Sequence, residues 1–273
     1  MKPYRLNLMV CAGTGCVANN SWGIKKALEE ELRKKGLENE VQVVATGCNG
    51  FCAEGPLMVV QPGNVFYRRL TEKEIPHLVE EHFLKGRPVQ KFMYTPPSEK
   101  APIPTMDNIP FFRDQMLIAL RNRGLIDPTK IDEAIGRGAY SALAKVLTAM
   151  KPEEVIKVIK ASALRGRGGG GFPTGVKWET CRNAHGEPKY IVCNADEGDP
   201  GAFMDRSIIE SDPHSVIEGM LIGAYAIGSQ NGYIYIRQEY PLARERLIIA
   251  LGQAREYGLL GQNIFDTGFN FDI

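Results

Sequence analysis

The sequence predicts an α/β protein of two domains. Three observations carry that prediction. Its 273 residues exceed the ~100–150 of a typical single domain. Strand-like alternation and helix-like apolar spacing follow one another in both halves. Between them, six of the 17 prolines fall at positions 88, 96, 97, 102, 104 and 110, where few apolar residues recur and an extended linker is expected. The expected domains are 1–88 and 111–273, joined by 89–110.

In the first domain Leu6, Leu8 and Val10 alternate with polar residues, predicting a strand with one buried face that ends at Cys11. Ile24, Ala27, Leu28, Glu31 and Leu32 recur at helical spacing, with Lys and Glu opposite and Gly36 as the stop. Residues 41–46 read as a second strand, and 57–61 with 65–68 as a hairpin around Pro62-Gly63-Asn64. Thr71-x-x-Glu74 is a capping box for a helix to Leu84. Strand, helix, strand, hairpin and helix within about 85 residues is the order of a thioredoxin-like α/β domain.

The second domain opens with helical patterns at 111–123, 128–135, 141–150 and 152–163, the last with Pro152 at its first position and Glu153 and Glu154 in its first turn. After a glycine-rich loop, strands at 190–193 and 232–237 alternate with helices at 215–227 and 242–256. This Rossmann-like β-α-β-α order predicts parallel pairing with right-handed crossovers.

Composition narrows the function classes. Apolar residues at 44% and charged residues at 24% are ordinary for a globular chain and exclude wholesale disorder or a coiled coil. With 33 Lys and Arg against 32 Asp and Glu there is no global field for nucleic acid or an anionic membrane. The longest apolar stretch, 216–228, contains Glu218 and three glycines and falls short of the ~20 residues of a membrane helix. Arg5 and Asn7 interrupt the N-terminal apolar run, so no secretory signal is read and a cytoplasmic location is expected. In that reducing setting, cysteines serve as metal ligands, redox groups or small core residues rather than disulfides.

Cys11-x4-Cys16 and Cys48-x3-Cys52 place two close pairs in two loops, each after an expected strand. Ala12, Gly13, Thr14 and Gly15 fill the first loop, and Gly47, Asn49, Gly50 and Gly55 surround the second pair. Small residues there let backbone N–H groups turn towards cluster sulfurs. A 2Fe-2S cluster is the leading reading. Structural zinc takes four cysteines at similar spacing and is its rival, with a disulfide pair or inert cysteines third. Residues 1–85, with these motifs, resemble the thioredoxin-like 2Fe-2S ferredoxin domain of the 24 kDa-type subunit of complex I and of several flavoprotein subunits. The resemblance implies that Cys11, Cys16, Cys48 and Cys52 hold one 2Fe-2S cluster. Cys181 and Cys193 lie outside it and read as buried small hydrophobes.

Residues 165–178, Arg-Gly-Arg-Gly-Gly-Gly-Gly-Phe-Pro-Thr-Gly-Val-Lys-Trp, form the glycine loop. Gly166, Gly168 and Gly171 match G-x-G-x-x-G, but a helix precedes them where an ordinary dinucleotide fold has a strand. The physical reading does not need the pattern. Glycines including Gly169, with Arg165, Arg167 and Lys177, offer approachable backbone donors and positive charge to a phosphate-bearing cofactor, and bulky Phe172 beside them argues against a mere flexible loop. Asn194, Asp196, Glu197 and Asp199 leave the end of an expected strand, the edge where open α/β sheets bind ligands. A solvated acidic turn is the alternative there.

The glycine loop, Asn194-Ala-Asp-Glu-Gly-Asp-Pro-Gly-Ala-Phe-Met-Asp-Arg206 and Gly232-Tyr-Ile-Tyr-Ile-Arg237 resemble the FMN- and NADH-binding (51 kDa-type) flavoprotein subunits of complex I and their relatives in NAD(P)-linked hydrogenases and formate dehydrogenases. With its N-terminal 2Fe-2S domain the chain is similar to the beta subunits of soluble, often electron-bifurcating, iron hydrogenases. The resemblance implies that Gly166, Gly168, Lys177, Asn194 and Asp196 hold FMN and that Phe172, Glu197 and Asp199 face NAD(P)H. Arg167, Gly169 and Gly171 complete the cofactor-binding set. The flavin carries the chemistry, so no catalytic side chain is assigned. Implied partners are the iron–sulfur subunits of such a complex, including a 24 kDa-type 2Fe-2S subunit. Two positions depart from the family: Asp199 stands where relatives often have Glu, and Thr180 where an aromatic often stacks on adenine. The family's Gly-Glu-Glu-Thr segment, ubiquitin-like insert and 4Fe-4S domain are not found before Ile273, so a truncated chain with little NAD(P)H oxidation of its own is expected. The rival reading is a 2Fe-2S relay or assembly module without a working flavin site.

Overall fold

The computed structural model describes residues 4–273, which divide into two compact units. One runs to Pro128 and includes Glu210–Asp212; the other comprises Thr129–Ile209 and Pro213–Ile273. In the first, β1 (Leu6–Cys11) pairs in parallel with β2 (Val41–Thr46) and antiparallel with β3 (Met58–Gln61), which pairs antiparallel with β4 (Val65–Tyr67). The sheet order is β2-β1-β3-β4. Helix α1 (Thr14–Ala18) carries Cys16, and α2 (Ser21–Lys34) is the crossover from β1 to β2. The Glu74 carboxylate accepts the Thr71 N–H at 3.1 Å, as the capping box requires. Beyond it the helix widens stepwise, from a 3-10 turn at Glu72–Glu74 through α3 (Ile75–Leu78) to a π turn, Val79–Leu84.

Leu8 and Val10 of β1 join Ile24, Leu28 and Leu32 of α2 and Ile75, Leu78 and Phe83 in one core layer. The sequence predicted one buried face for β1; both are buried. Met9 and Cys11 point the other way, into a second layer with Val44, Val59, Phe66 and Ile109. The reason is the proline-rich segment, which is extended but packs on the sheet: Val65 bridges to Thr105, Tyr94 to Ile103, and the Phe66 N–H donates to the Pro104 carbonyl at 2.9 Å.

The helix expected at 111–123 is only α4 (Pro110–Arg113). Tertiary packing overrides the periodicity. Phe111 stacks on Phe51 at 5.0 Å, Phe112 meets Phe51 edge-on at 5.4 Å, and the Asn122 amide donates to Asp212 at 2.7 Å.

In the second unit α5 (Ile131–Ile135), α6 (Ser141–Ala149) and α7 (Pro152–Ala161) lead to the glycine loop and α8 (Thr174–Asn183). Strand β5 (Tyr190–Ala195), α9 (Met204–Ser211), α10 (Pro213–Ile227), β6 (Asn231–Ile236) and α11 (Pro241–Glu256) follow. Strands β5 and β6 pair in parallel from Tyr190↔Asn231 to Ala195↔Ile236, as the β-α-β-α order predicted. A final hairpin joins β7 (Gly261–Ile264) to β8 (Phe269–Phe271). Cys193, Ile234 and Ile236 pack towards Ala243 and Leu247 of α11, whereas Val192 and Tyr235 on the other sheet face are exposed. Among the described residues no helix is long and apolar enough to cross a membrane.

Candidate cluster and cofactor sites

Parallel pairing of β1 and β2 brings their C-terminal ends side by side, Cys11 opposite Thr46. The two cysteine loops leave from there. Cys11 closes β1, Cys16 sits in α1, Cys48 lies two residues past β2, and Cys52 opens a 3-10 turn, Cys52–Glu54. Cys11, Cys16 and Cys48 are buried; Cys52 is partly exposed. The four sulfurs lie close together: Cys48 and Cys52 are 3.9 Å apart, and the Cys11 thiol interacts with those of Cys16 and Cys48. Four thiolates are the ligand set of a 2Fe-2S cluster, two to each iron.

Two glycines make the approach possible. A Cβ on Gly13 would lie 2.5 Å from the Cys48 Cβ, and one on Gly55 would lie 2.9 Å from the Cys16 Sγ. The Gly50 N–H donates to the Cys48 Sγ at 3.3 Å, the kind of bond that tunes cluster potentials. Hydrogen bonding to Cys16 and then to Cys48, with burial behind them, holds the Cys11 thiol well above its ordinary range, and the bond from Cys11 draws Cys16 down. Crowded thiols that share protons release them when a metal binds.

Three residues from late in the chain belong to this unit and were not legible in the sequence. The Glu210 carboxylate, fully buried, accepts the Thr14 N–H at 2.9 Å and also the Thr14 hydroxyl. A Cβ on Gly47 would lie 2.3 Å from the Ser211 Cα. Glu210 thus braces the first cysteine loop and Ser211 the second, and no motif marks them.

In the second unit the glycine loop is a hairpin closed at its base. The Gly166 N–H donates to the Phe172 carbonyl, and the Thr174 N–H to the Leu164 carbonyl, each at 2.9 Å. Its tip is open: a Cβ on Gly168, Gly169 or Gly170 would meet no atom within 4 Å. Arg165 donates to the Gly171 carbonyl at 3.1 Å and Arg167 to the Arg165 carbonyl at 2.6 Å. Neither guanidinium, nor the Lys177 ammonium, has a carboxylate partner among the described residues. Uncompensated cations around approachable backbone, at the start of α8, fit an anionic phosphate group. Gly166, Phe172 and Lys177 also line an open, mainly apolar cavity of about 610 Å³ with Trp178, Cys181 and Cys193, a size and character suited to a planar cofactor.

The acidic segment after β5 is not gathered into that cavity lining. The Asn194 Oδ1 accepts the Asp196 N–H at 3.1 Å, and Asp196 lies 3.7 Å from Arg237. Glu197, at a φ of 49°, turns its carboxylate onto the Asp205 and Arg206 N–H groups at 3.0 and 3.2 Å, the first turn of α9. Burial, and then the charge of Glu197, raises Asp205 above the usual carboxylate range. Asp199 is exposed.

Comparison with known proteins agrees with both halves. Residues 2–82 match the model of the thioredoxin-like [2Fe-2S] ferredoxin, and residues 159–269 that of the Nuo51 FMN-binding domain. The HndC component of the NADP-reducing hydrogenase of Solidesulfovibrio fructosivorans is 59% identical over 161 residues, 59% of this chain and 32% of its own. The alpha subunit of the NAD-reducing hydrogenase HoxS of Cupriavidus necator is 34% identical over 275 residues, 99% of this chain and 43% of its own. An NADH-quinone oxidoreductase component of Rhizobium meliloti is 49% identical over 156 residues, 57% and 37% of the two chains. The chain therefore spans less than half the length of these relatives. The cysteine loops at the ends of β1 and β2 lie in the part of the chain that matches the thioredoxin-like [2Fe-2S] ferredoxin, and the cationic glycine loop before α8 in the part that matches the Nuo51 FMN-binding domain.

Proposed function

We propose that the chain is the 2Fe-2S- and FMN-binding part of an electron-transfer subunit that oxidises NAD(P)H, or reduces NAD(P)+, and passes electrons singly to iron–sulfur centres of a soluble hydrogenase-type complex. The observation that carries this reading is the presence in one chain of a four-thiol cradle, three of its cysteines buried, and an uncompensated cationic glycine loop. Cys11, Cys16, Cys48 and Cys52 are the cluster ligands. Gly166, Gly168, Gly169 and Gly171 bring backbone N–H groups to the FMN phosphate, and Arg167 and Lys177 neutralise it, with Asn194 and Asp196 accepting hydrogen bonds from the flavin. Phe172, Glu197 and Asp199 face the nicotinamide nucleotide; for Glu197 this requires release from the first turn of α9. FMN, when bound, supplies the exchange between a two-electron hydride and single electrons. The chain's own part is to hold, orient and electrostatically match these groups. Domains of 1–88 and 111–273 with a segment at 89–110, a cytoplasmic location, and iron–sulfur partner subunits of a hydrogenase or formate dehydrogenase belong to the same proposal.

Anaerobic titration with NADH and NADPH of the protein in its complex tests it. Bleaching of flavin absorbance followed by a 2Fe-2S electron paramagnetic resonance signal is expected. A red-brown preparation that keeps iron and sulfide but has no flavin would instead favour a relay or assembly module.

A further inference from the structure

Arg123 is the unassigned charge of the N-terminal unit. Its side chain is 7% exposed, yet it forms no ion pair among the described residues, and its Nε and one terminal nitrogen have no hydrogen-bond partner. A buried guanidinium left this way is costly unless an anion meets it. The position of that anion follows from the neighbours. One Arg123 terminal nitrogen would be 2.8 Å from a Cβ placed on Gly50, between Cys48 and Cys52. Burial disfavours the charge of the guanidinium, and the groups whose negative charge would offset that are Cys48, Cys11 and Cys52; a guanidinium stays protonated at neutral pH.

The adjacent side chain repeats the pattern. Asn49, 1% exposed, has neither its amide nitrogen nor its oxygen bonded, and Gly124 packs so closely that a Cβ there would lie 2.2 Å from the Asn49 Oδ1. The orphaned donors beside the second cysteine loop, from Arg123 and Asn49, outnumber the single orphaned acceptor. The nearby acids are engaged elsewhere, Glu210 with Thr14 and Asp212 with Asn122. What the site lacks is negative charge on the cysteine side.

We propose that Arg123 is a positioning residue for the redox centre: the buried counter-charge of the 2Fe-2S cluster held by Cys11, Cys16, Cys48 and Cys52, favouring its reduced form. This rests on the cluster reading above. Thiolate ligation makes the centre anionic, and taking up one electron adds a further negative charge, so a fixed cation in a low-dielectric site stabilises the reduced state more than the oxidised one. Arg123 thereby raises the reduction potential without touching the flavin or nucleotide.

The test is a redox titration of the 2Fe-2S signal in the whole protein, with iron and sulfide measured alongside, for wild type, Arg123→Lys, Arg123→Met and Arg123→Gln. The neutral variants should keep iron and sulfide while the reduced form loses at least about tenfold in stability, a fall of ~59 mV for one electron. Lysine should restore most of that shift, which a packing role would not produce. Loss of iron from both neutral variants but not from the lysine variant would also support a charge requirement. Unchanged potentials in iron-replete neutral variants, or equal loss of iron from all three, would overturn the proposal. Wild-type protein holding zinc without sulfide would overturn the cluster reading itself, a separate and distinguishable result.

Discussion

Three of the four candidate cluster ligands are at most 2% exposed, held by loops that leave adjacent parallel strands and are braced by Glu210 and Ser211. In the second unit every residue from 165 to 170 is exposed, and of the acidic side chains after β5, Asp196 lies 3.7 Å from Arg237 while Glu197 accepts the Asp205 and Arg206 N–H groups. The contrast follows from the chemistry of the ligands. Four thiolates have to converge at close quarters to ligate a cluster, and the chain that gathers them must pack a core around them, so cluster binding and folding are coupled. A phosphate group needs only approachable N–H donors and unmatched positive charge, which an open hairpin offers before anything binds. The first unit is preorganised by packing, the second by electrostatics.

The largest expected effect separates the two kinds of cysteine. Cys48→Ser should abolish the 2Fe-2S signal and leave FMN content unchanged, whereas Cys181→Ser should leave iron and sulfide at wild-type levels; equal iron content in both variants would erase the distinction. Next come the packed and open faces. Leu28→Ala, at a fully buried position, should cost the N-terminal unit about 2–5 kcal/mol in denaturant unfolding. Val192→Ala, 63% exposed on β5, should stay within about 0.5 kcal/mol of wild type. Comparable losses would mean that the exposed sheet face is as tightly packed as the core.

Gly168→Val probes the open loop. No atom of the protein obstructs the new side chain, so unfolding and the cluster signal should not change while FMN affinity falls at least tenfold, about 1.4 kcal/mol. Undiminished FMN binding would remove this loop from the flavin site.

The smallest effect is a pH dependence confined to the first unit. The Tyr67 hydroxyl and His82 Nδ1 are 2.8 Å apart. Burial lowers the His82 imidazole from its ordinary 6.5 and pushes Tyr67 from 10.0 up to about 12. For His82 the folded state binds fewer protons than the unfolded one, so stability present above about pH 6.5 is lost as pH falls towards the folded value. For Tyr67 it binds more, so stability is lost as pH rises from about 10 to 12. Replacing His82 with Gln should flatten the acid limb of unfolding midpoint against pH; an unaltered limb would contradict this.

The strands and cysteine loops of the first unit were legible because alternation, Pro62-Gly63-Asn64 and close Cys pairs are local signals. Helix α10 and the parallel β5–β6 pair were legible from apolar spacing and element order. Burial of Met9 and Cys11 was not, because their cover comes from Ile109 and the proline-rich segment, whose composition reads as solvent-borne linker. Nor was the fate of 111–123, whose apolar spacing is helical but whose phenylalanines are spent on Phe51. Arg123, Asn49 and Glu210 gain their meaning only when distant segments meet, and no spacing rule finds such residues.

The central claim, one buried iron–sulfur centre and one open flavin site on the same chain, is tested most directly by metal, sulfide and flavin analysis of anaerobically purified protein with its complex intact. Relative to wild type, Cys48→Ser should lack about two irons and two acid-labile sulfides while retaining FMN, and Gly168→Val should lose FMN while retaining that iron and sulfide. Zinc in place of that iron, or iron and flavin lost together in both variants, would contradict it.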